Sequence, residues 1–233
     1  MSDFPTIIGH RGAAGLVAEN TIPSFIHALE LGCRIVELDV HCLPREGDAL
    51  AVIHDAELDR TTNLQGHIEN FSHDELLHAT PPVPLLTEVL DAITTWLKRR
   101  GLSHQEILIN IELKGKGTVA AVLATMTQFP SLAYVISSFA HNELYEFRQV
   151  DHLTRVAPLF SRWQKNCIEI AESLDATSIN LSKHIVTANR VRKIRDAGFE
   201  TWVYTVNSKA GARRMAQLGV SAIFTDRPDR MLS

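Results

Sequence analysis

Short apolar runs alternate with amphipathic stretches along almost the whole chain. Strands are predicted at 6–10 (TIIGH), 35–40 (IVELDV), 50–54 (LAVIH), 106–114 (EILINIELK), 133–139 (AYVISSF), 154–160 (TRVAPLF), 177–182 (TSINLS), 201–206 (TWVYTV) and 221–224 (SAIF). Helices are predicted at 21–31, 187–197 and 208–218. Asn20 or Thr21 can cap the first of these, Pro23 suits its first turn, and Gly32 can end it. Repeated strand–helix units of this length predict a parallel sheet, and eight of them close into a (β/α)8 TIM barrel. Nine strand candidates are one too many, so one lies outside the barrel or is misread. An open doubly wound sheet is the alternative, but the chain lacks a glycine-rich dinucleotide fingerprint. The whole of 1–233 is expected to form one barrel domain. Residues 55–86 break the rhythm, and a loop with one short helix is expected there, forming a lid or rim over the strand ends.

Strands of a parallel barrel are covered on both sides and should be nearly all apolar. Two of these are not. Alternation along 35–40 places Glu37 and Asp39 on one face, opposite Val36, Leu38 and Val40. Along 107–114 it places Asn110, Glu112 and Lys114 opposite Ile107, Ile109, Ile111 and Leu113. Unpartnered buried carboxylates are costly, and neighbouring ones repel. A divalent cation removes both problems, and Glu37, Asp39 and Glu112 offer the hard oxygen donors that Mg²⁺ or Ca²⁺ takes. Salt bridges from Glu37 and Asp39 to Arg11 and Lys114, without a metal, are the structural alternative. His10 and His54 each end an apolar run near these acids, where they are candidate acid–base groups.

Composition narrows the choice. The 233 residues carry a formal net charge of −4, which implies neither a nucleic-acid partner nor an anionic membrane surface. The start MSDFPTII does not resemble a signal peptide, and no run approaches a membrane span, so a cytoplasmic location without stable membrane insertion is expected. Cys33, Cys42 and Cys167 are too few and too scattered for a disulfide framework. A monomer or homodimer is expected.

The segments IIGHRGAAGLVAENTIPSF, IVELDVHCL, VIHDAELDRTTNLQG, INIELKG, VISSF, VYTVN and IFTDRPD occur in this order over nearly the whole chain. Together they resemble the glycerophosphodiester phosphodiesterase family. The resemblance implies a (β/α)8 barrel holding one divalent cation on Glu37, Asp39 and Glu112, with His10 and His54 as catalytic histidines. Arg11 and Lys114 would touch the phosphate, and Phe139 and Tyr204 would line the substrate pocket. The implied reaction is hydrolysis of a small glycerophosphodiester to glycerol 3-phosphate and an alcohol, through a cyclic phosphate, with His10 as base and His54 as acid. Glu19, Asn20, Asp55 and Asp226 are expected in support. Glu19 and Asn20 would contact the metal or Arg11 or cap the following helix, Asn20 chiefly by capping. Asp226 would pair with Arg11. Arg60 and the Thr61–Thr62 pair would fix the loop behind His54.

Three departures stand out. Ala18 replaces the proline usual before ENT, Tyr204 replaces a tryptophan, and the insertion after the third strand is shortened, which suggests a more open site. Two rival readings remain: a phospholipase-like enzyme acting on lysophospholipid or other lipid diesters, and a barrel that binds phosphodiesters without cleaving them.

Overall fold

The computed structural model describes residues 4–44, 47 and 49–232; Met1–Asp3, part of the expected domain, and Ser233 lie outside this range. Its strands are β1 (Thr6–Gly9), β2 (Ile35–Leu43), β3 (Ala49–Val52), β4 (Leu108–Leu113), β5 (Ala133–Ser138), β6 (Arg155–Phe160), β7 (Ser178–Ser182), β8 (Glu200–Tyr204) and β9 (Ala222–Thr225). All except β3 run parallel, and β1 pairs with both β9 and β2, so these eight close into the expected barrel. The surplus strand is β3. It folds back antiparallel on β2, with Val40 opposite Val52 and Leu43 opposite Ala49. The few residues between β2 and β3 leave no room for the crossover a parallel partner requires.

The helices are α1 (Ile22–Glu30), α2 (His73–Leu77), α3 (Leu86–Arg100), α4 (Thr118–Gln128), α5 (His141–Val150), α6 (Cys167–Ser173), α7 (Ala188–Asp196), α8 (Lys209–Gln217) and α9 (Asp229–Leu232). Thr21, not Asn20, caps α1, its side chain accepting from the Ser24 N–H. The Glu88 carboxylate accepts the Leu85 N–H at the start of α3 (2.7 Å), while Lys98, Arg99 and Arg100 sit in its last turn, where the helix dipole favours cations.

Two apolar layers result from the alternation. Val36, Leu38, Ile109, Ile111 and Val203 face outward into the main core beneath the helices. Ile8, Ile35, Val135, Ala157, Trp202, Ala222 and Phe224 fill the barrel interior. Residues 55–86 are more ordered than a lid. They hold a short 3₁₀ turn (Ile68–Asn70) and α2, and Leu58, Ile68, Leu76 and Val83 form a small core with Leu43, Ala51 and Ile53 of the β2–β3 hairpin. The segment is a packed rim around the barrel mouth.

Candidate active site

Chemistry gathers where the strands end. After β1 the chain turns sharply at His10–Arg11–Gly12. A Cβ on Gly12 (φ +83°) would lie 2.5 Å from Ser24, so only glycine lets the turn rest against α1. Ser24 Oγ then accepts the Ala13 N–H (2.9 Å) and donates to the Arg11 carbonyl (3.0 Å). Arg11 itself is left-handed, with φ +51°, a conformation that costs a non-glycine residue on the order of 1–3 kcal/mol. The strained turn aims its backbone N–H at Glu37 Oε2, 2.8 Å away.

Glu37 and Asp39 point inward from β2, and Glu112 points inward from β4, where it is the register partner of Asp39. All three are buried, and each offers a carboxylate oxygen within 4.8 Å of the others. Among the described residues, two side-chain cations form ion pairs with them. Arg11 Nε lies 3.3 Å from Asp39 Oδ2, and Lys114 Nζ lies 3.2 Å from Asp39 Oδ1 and 2.5 Å from Glu112 Oε1. The salt-bridge alternative is thus realised for Asp39 but not for Glu37, which meets Arg11 only through its backbone N–H and whose Oε1 is buried without a hydrogen-bond partner. Three carboxylates against two cations leave one negative charge uncompensated. The donor set is all hard oxygen, and a divalent cation of the Mg²⁺ or Ca²⁺ type fits it.

The proton affinities follow from the same crowding. Burial, then repulsion from Asp39 and Glu112, pushes the Glu37 carboxyl well above its ordinary range. Burial and Asp39 raise Glu112 to about 7 despite Lys114. Asp39 is held low because Lys114 and Arg11 together outweigh the opposing effect of its own burial.

Both histidines are anchored by a carboxylate. His10 Nδ1 lies 2.6 Å from Asp226 Oδ1, and His54 Nδ1 lies 2.5 Å from Asp55 Oδ1. Such a contact fixes ring orientation and tautomer and places the basic nitrogen of the neutral ring at Nε2. Burial lowers the His54 pKa, helped by the nearby Lys114 and Arg11 charges. The groups surround a cavity of about 150 Å³. One wall is polar: His10, Arg11, Glu37, His54, Glu112 and Lys114. The other is built from Phe139, Leu159, Tyr204 and Phe224. Phe139 meets Tyr204 edge to face at 5.7 Å, and Lys114 Nζ lies 5.7 Å from the Phe139 ring centre. No residue of 55–86 is among the cavity's lining residues.

The nine residues expected to bind metal, phosphate or substrate or to move protons therefore all meet at one cavity or directly behind it. Two supporting residues act differently from expectation. Asn20 does not cap α1; its Nδ2 donates to Asp39 Oδ2 (2.9 Å), which a left-handed φ of +56° makes possible. Asp226 hydrogen-bonds His10 rather than Arg11. Glu19 does meet Arg11, at 2.8 Å. Several residues escaped the sequence reading, Leu159 and Thr205 of the cavity lining among them. Asn207 donates to Asp226 Oδ2 (2.6 Å) and accepts the Asp226 N–H (2.9 Å), holding the carboxylate behind His10. Phe224 shares the inward face of β9 with Ala222 and packs edge to face with His10 and Tyr204. Its inward parity in SAIFT was the available signal.

A barrel whose mouth combines buried acids, flanking cations and anchored histidines is built to handle a phosphate ester. Comparison with known proteins makes that specific: the chain belongs to the Glycerophosphoryl diester phosphodiesterase family, which it matches over residues 10–230. A glycerophosphodiester phosphodiesterase of Bacillus altitudinis is 32% identical, covering 96% of this chain and 95% of its own length. One from Caldanaerobacter subterraneus is 28% identical, with 97% and 96% covered. The structure of an Oleispira antarctica phosphodiesterase in complex with the product sn-glycerol-3-phosphate is similar with a TM-score of 0.87 and 26% identity, covering 99% of this chain and 98% of that one. The chain is accordingly an enzyme, a hydrolase of phosphoric diesters. Among the described residues no helix is long and apolar enough to cross a membrane.

Proposed function

We propose that the enzyme cleaves small glycerophosphodiesters such as glycerophosphocholine into glycerol 3-phosphate and an alcohol, using His10 and His54 as its proton-transfer pair. The observation that carries this reading is the convergence of Glu37, Asp39 and Glu112 between Arg11 and Lys114, with both histidines lining the same cavity. The glycerol 3-phosphate bound by the Oleispira antarctica neighbour supports the substrate class.

Glu37, Asp39 and Glu112 would hold one Mg²⁺ or Ca²⁺. When bound, the cation offsets charge on the phosphoryl oxygens and eases ionisation of an alcohol. Arg11 presents its planar fork to the phosphate and Lys114 a point charge. The glycerol hydroxyl next to the phosphate is the nucleophile. His10, held at Nδ1 by Asp226, takes the hydroxyl proton, in the order the sequence suggests. His54, held at Nδ1 by Asp55, then protonates the departing alcohol. Water opens the resulting cyclic phosphate as the two histidines exchange roles. Phe139, Leu159, Tyr204 and Phe224 receive the carbon skeleton of the glycerol and shield the reacting phosphate from bulk water.

The test is glycerol 3-phosphate release from glycerophosphocholine, read through a coupled dehydrogenase. Turnover with Mg²⁺ or Ca²⁺ that stops in EDTA is expected. Binding without product would favour a barrel that only captures phosphodiesters. Lysophospholipid cleaved in preference to glycerophosphocholine would move the substrate class to lipid diesters.

A further inference from the structure

The side chain of Arg60 stands half-exposed at the start of the 55–86 segment and does not line the cavity. It nevertheless touches the partners of two groups that do. Its Nε donates to Asp55 Oδ2, and Asp55 Oδ1 is the anchor of His54. Its two terminal nitrogens donate to Glu19, NH1 to Oε2 (3.0 Å) and NH2 to Oε1 (2.7 Å). Glu19 Oε1 in turn accepts from Arg11 NH1 at 2.8 Å. An unbroken chain of contacts therefore runs from His54 through Asp55, Arg60 and Glu19 to Arg11.

We propose that Arg60 is a positioning residue that places His54 and Arg11 relative to each other, one guanidinium bracing the carboxylates behind both. This rests on the reading of His54 and Arg11 as groups that act on the substrate. A planar fork reaches two separate carboxylates with different nitrogens, whereas an ammonium would have to serve both from a single atom. The loop that carries Arg60 does not need this side chain for its own shape. The Thr62 N–H and hydroxyl both reach the Leu58 carbonyl (3.0 Å each), Leu58 N–H reaches the Gly66 carbonyl (3.0 Å), and Asn63 and Thr80 bond each other. Half-exposed ion pairs of this kind add little to folding stability. Their value lies in geometry, because proton transfer and phosphate binding depend on sub-ångström placement.

The two arms have separable kinetic signatures in the glycerophosphocholine assay. Asp55→Asn cuts the His54 arm and is expected to lower kcat with KM nearly retained. Glu19→Gln cuts the Arg11 arm and is expected chiefly to raise KM. Arg60→Gln should do both, lowering kcat/KM on the order of 10- to 100-fold with an unshifted thermal midpoint. Added to the Asp55→Asn and Glu19→Gln pair it should cost nothing further, since its partners are already gone. Arg60→Lys should recover one constant but not both. The assignment is overturned if Arg60→Gln keeps both constants within about two-fold, or if its loss adds in full to those of its partners. If Arg60→Gln does not fold, Arg60→Lys decides, and complete recovery of both constants overturns it. Wild-type turnover with an indifferent Arg60→Gln defeats this assignment alone. No wild-type turnover defeats the catalytic reading and this assignment with it.

Discussion

The lower and upper halves of the barrel interior are built from the same strands, and they obey opposite rules. On β2 the inward position Ile35 is followed two residues later by Glu37 and then Asp39; on β4 Leu108 is followed by Asn110 and Glu112. Below, Ile8, Val135, Ala157, Trp202 and Ala222 fill space. Above, three buried carboxylates crowd together at a cost in self-repulsion. A parallel barrel gives every strand the same direction, so its carboxyl ends all open on one mouth, and an inward residue acquires its role from its height in the strand. Lower positions fill the interior, and upper positions crowd charge at some cost in stability.

The largest expected effect comes from neutralising the upper layer. Glu112→Gln or Glu37→Gln should lower turnover on the order of 10³-fold, the scale of losing several kcal/mol of charge stabilisation. In EDTA the same variants should unfold at the same temperature as the wild type or higher, because a repelling carboxylate has been removed. Scanning calorimetry beside the coupled assay checks both. A variant that retains wild-type turnover, or unfolds well below the wild type without metal, would erase the contrast. Next in size, His10→Ala and His54→Ala should each lose on the order of 10²-fold in kcat. A loss of a few-fold in both would make the rings structural. The lower layer should behave in the reverse way. Trp202→Ala should cost about 3–5 kcal/mol of stability. Below its lowered melting temperature it should keep most of its kcat, as denaturant titration and initial rates can show.

How much of this contrast could be read in the sequence depended on periodicity. The alternation at 35–40 and 107–114 identified Glu37, Asp39 and Glu112 as sharing one interior, because the period of a strand is two whatever its partners. The same alternation says nothing about strand direction, which is why β3 counted as one barrel strand too many until the β2 pairing showed it antiparallel. Residues 58–83 hid their small core because Leu58, Ile68, Leu76 and Val83 follow no period. Partner choices among polar side chains were the least legible. Asn20 is a good cap by type, but a left-handed backbone turns it to Asp39. Asp226 met His10 because Asn207, 19 residues earlier, holds its carboxylate there. Such pairings depend on loop geometry, which residue type alone does not encode.

The smallest predicted effect is also the most direct probe of the crowding. Burial and Asp39 raise Glu112 to about 7, above its ordinary 4.5. Without metal, the folded protein keeps a proton here that the unfolded chain has already released. The resulting stabilisation is complete below about pH 4.5 and disappears as pH rises through about 7. His54 works the other way: its lowered pKa makes the unfolded chain the stronger proton binder just below 6.5, so stability there rises with pH. Comparison with Glu112→Gln separates the two. In EDTA the wild-type midpoint should fall relative to the variant between pH 5 and 8, by a few degrees. With saturating Mg²⁺ or Ca²⁺ that relative fall should vanish, because a bound cation replaces the proton. The same exchange predicts proton release on metal binding, measurable by calorimetry in two buffers of different ionisation enthalpy. Parallel pH profiles for wild type and variant in EDTA would mean that Glu112 is not under strain, and the division between a stabilising lower layer and a costly upper one would lose its clearest electrostatic support.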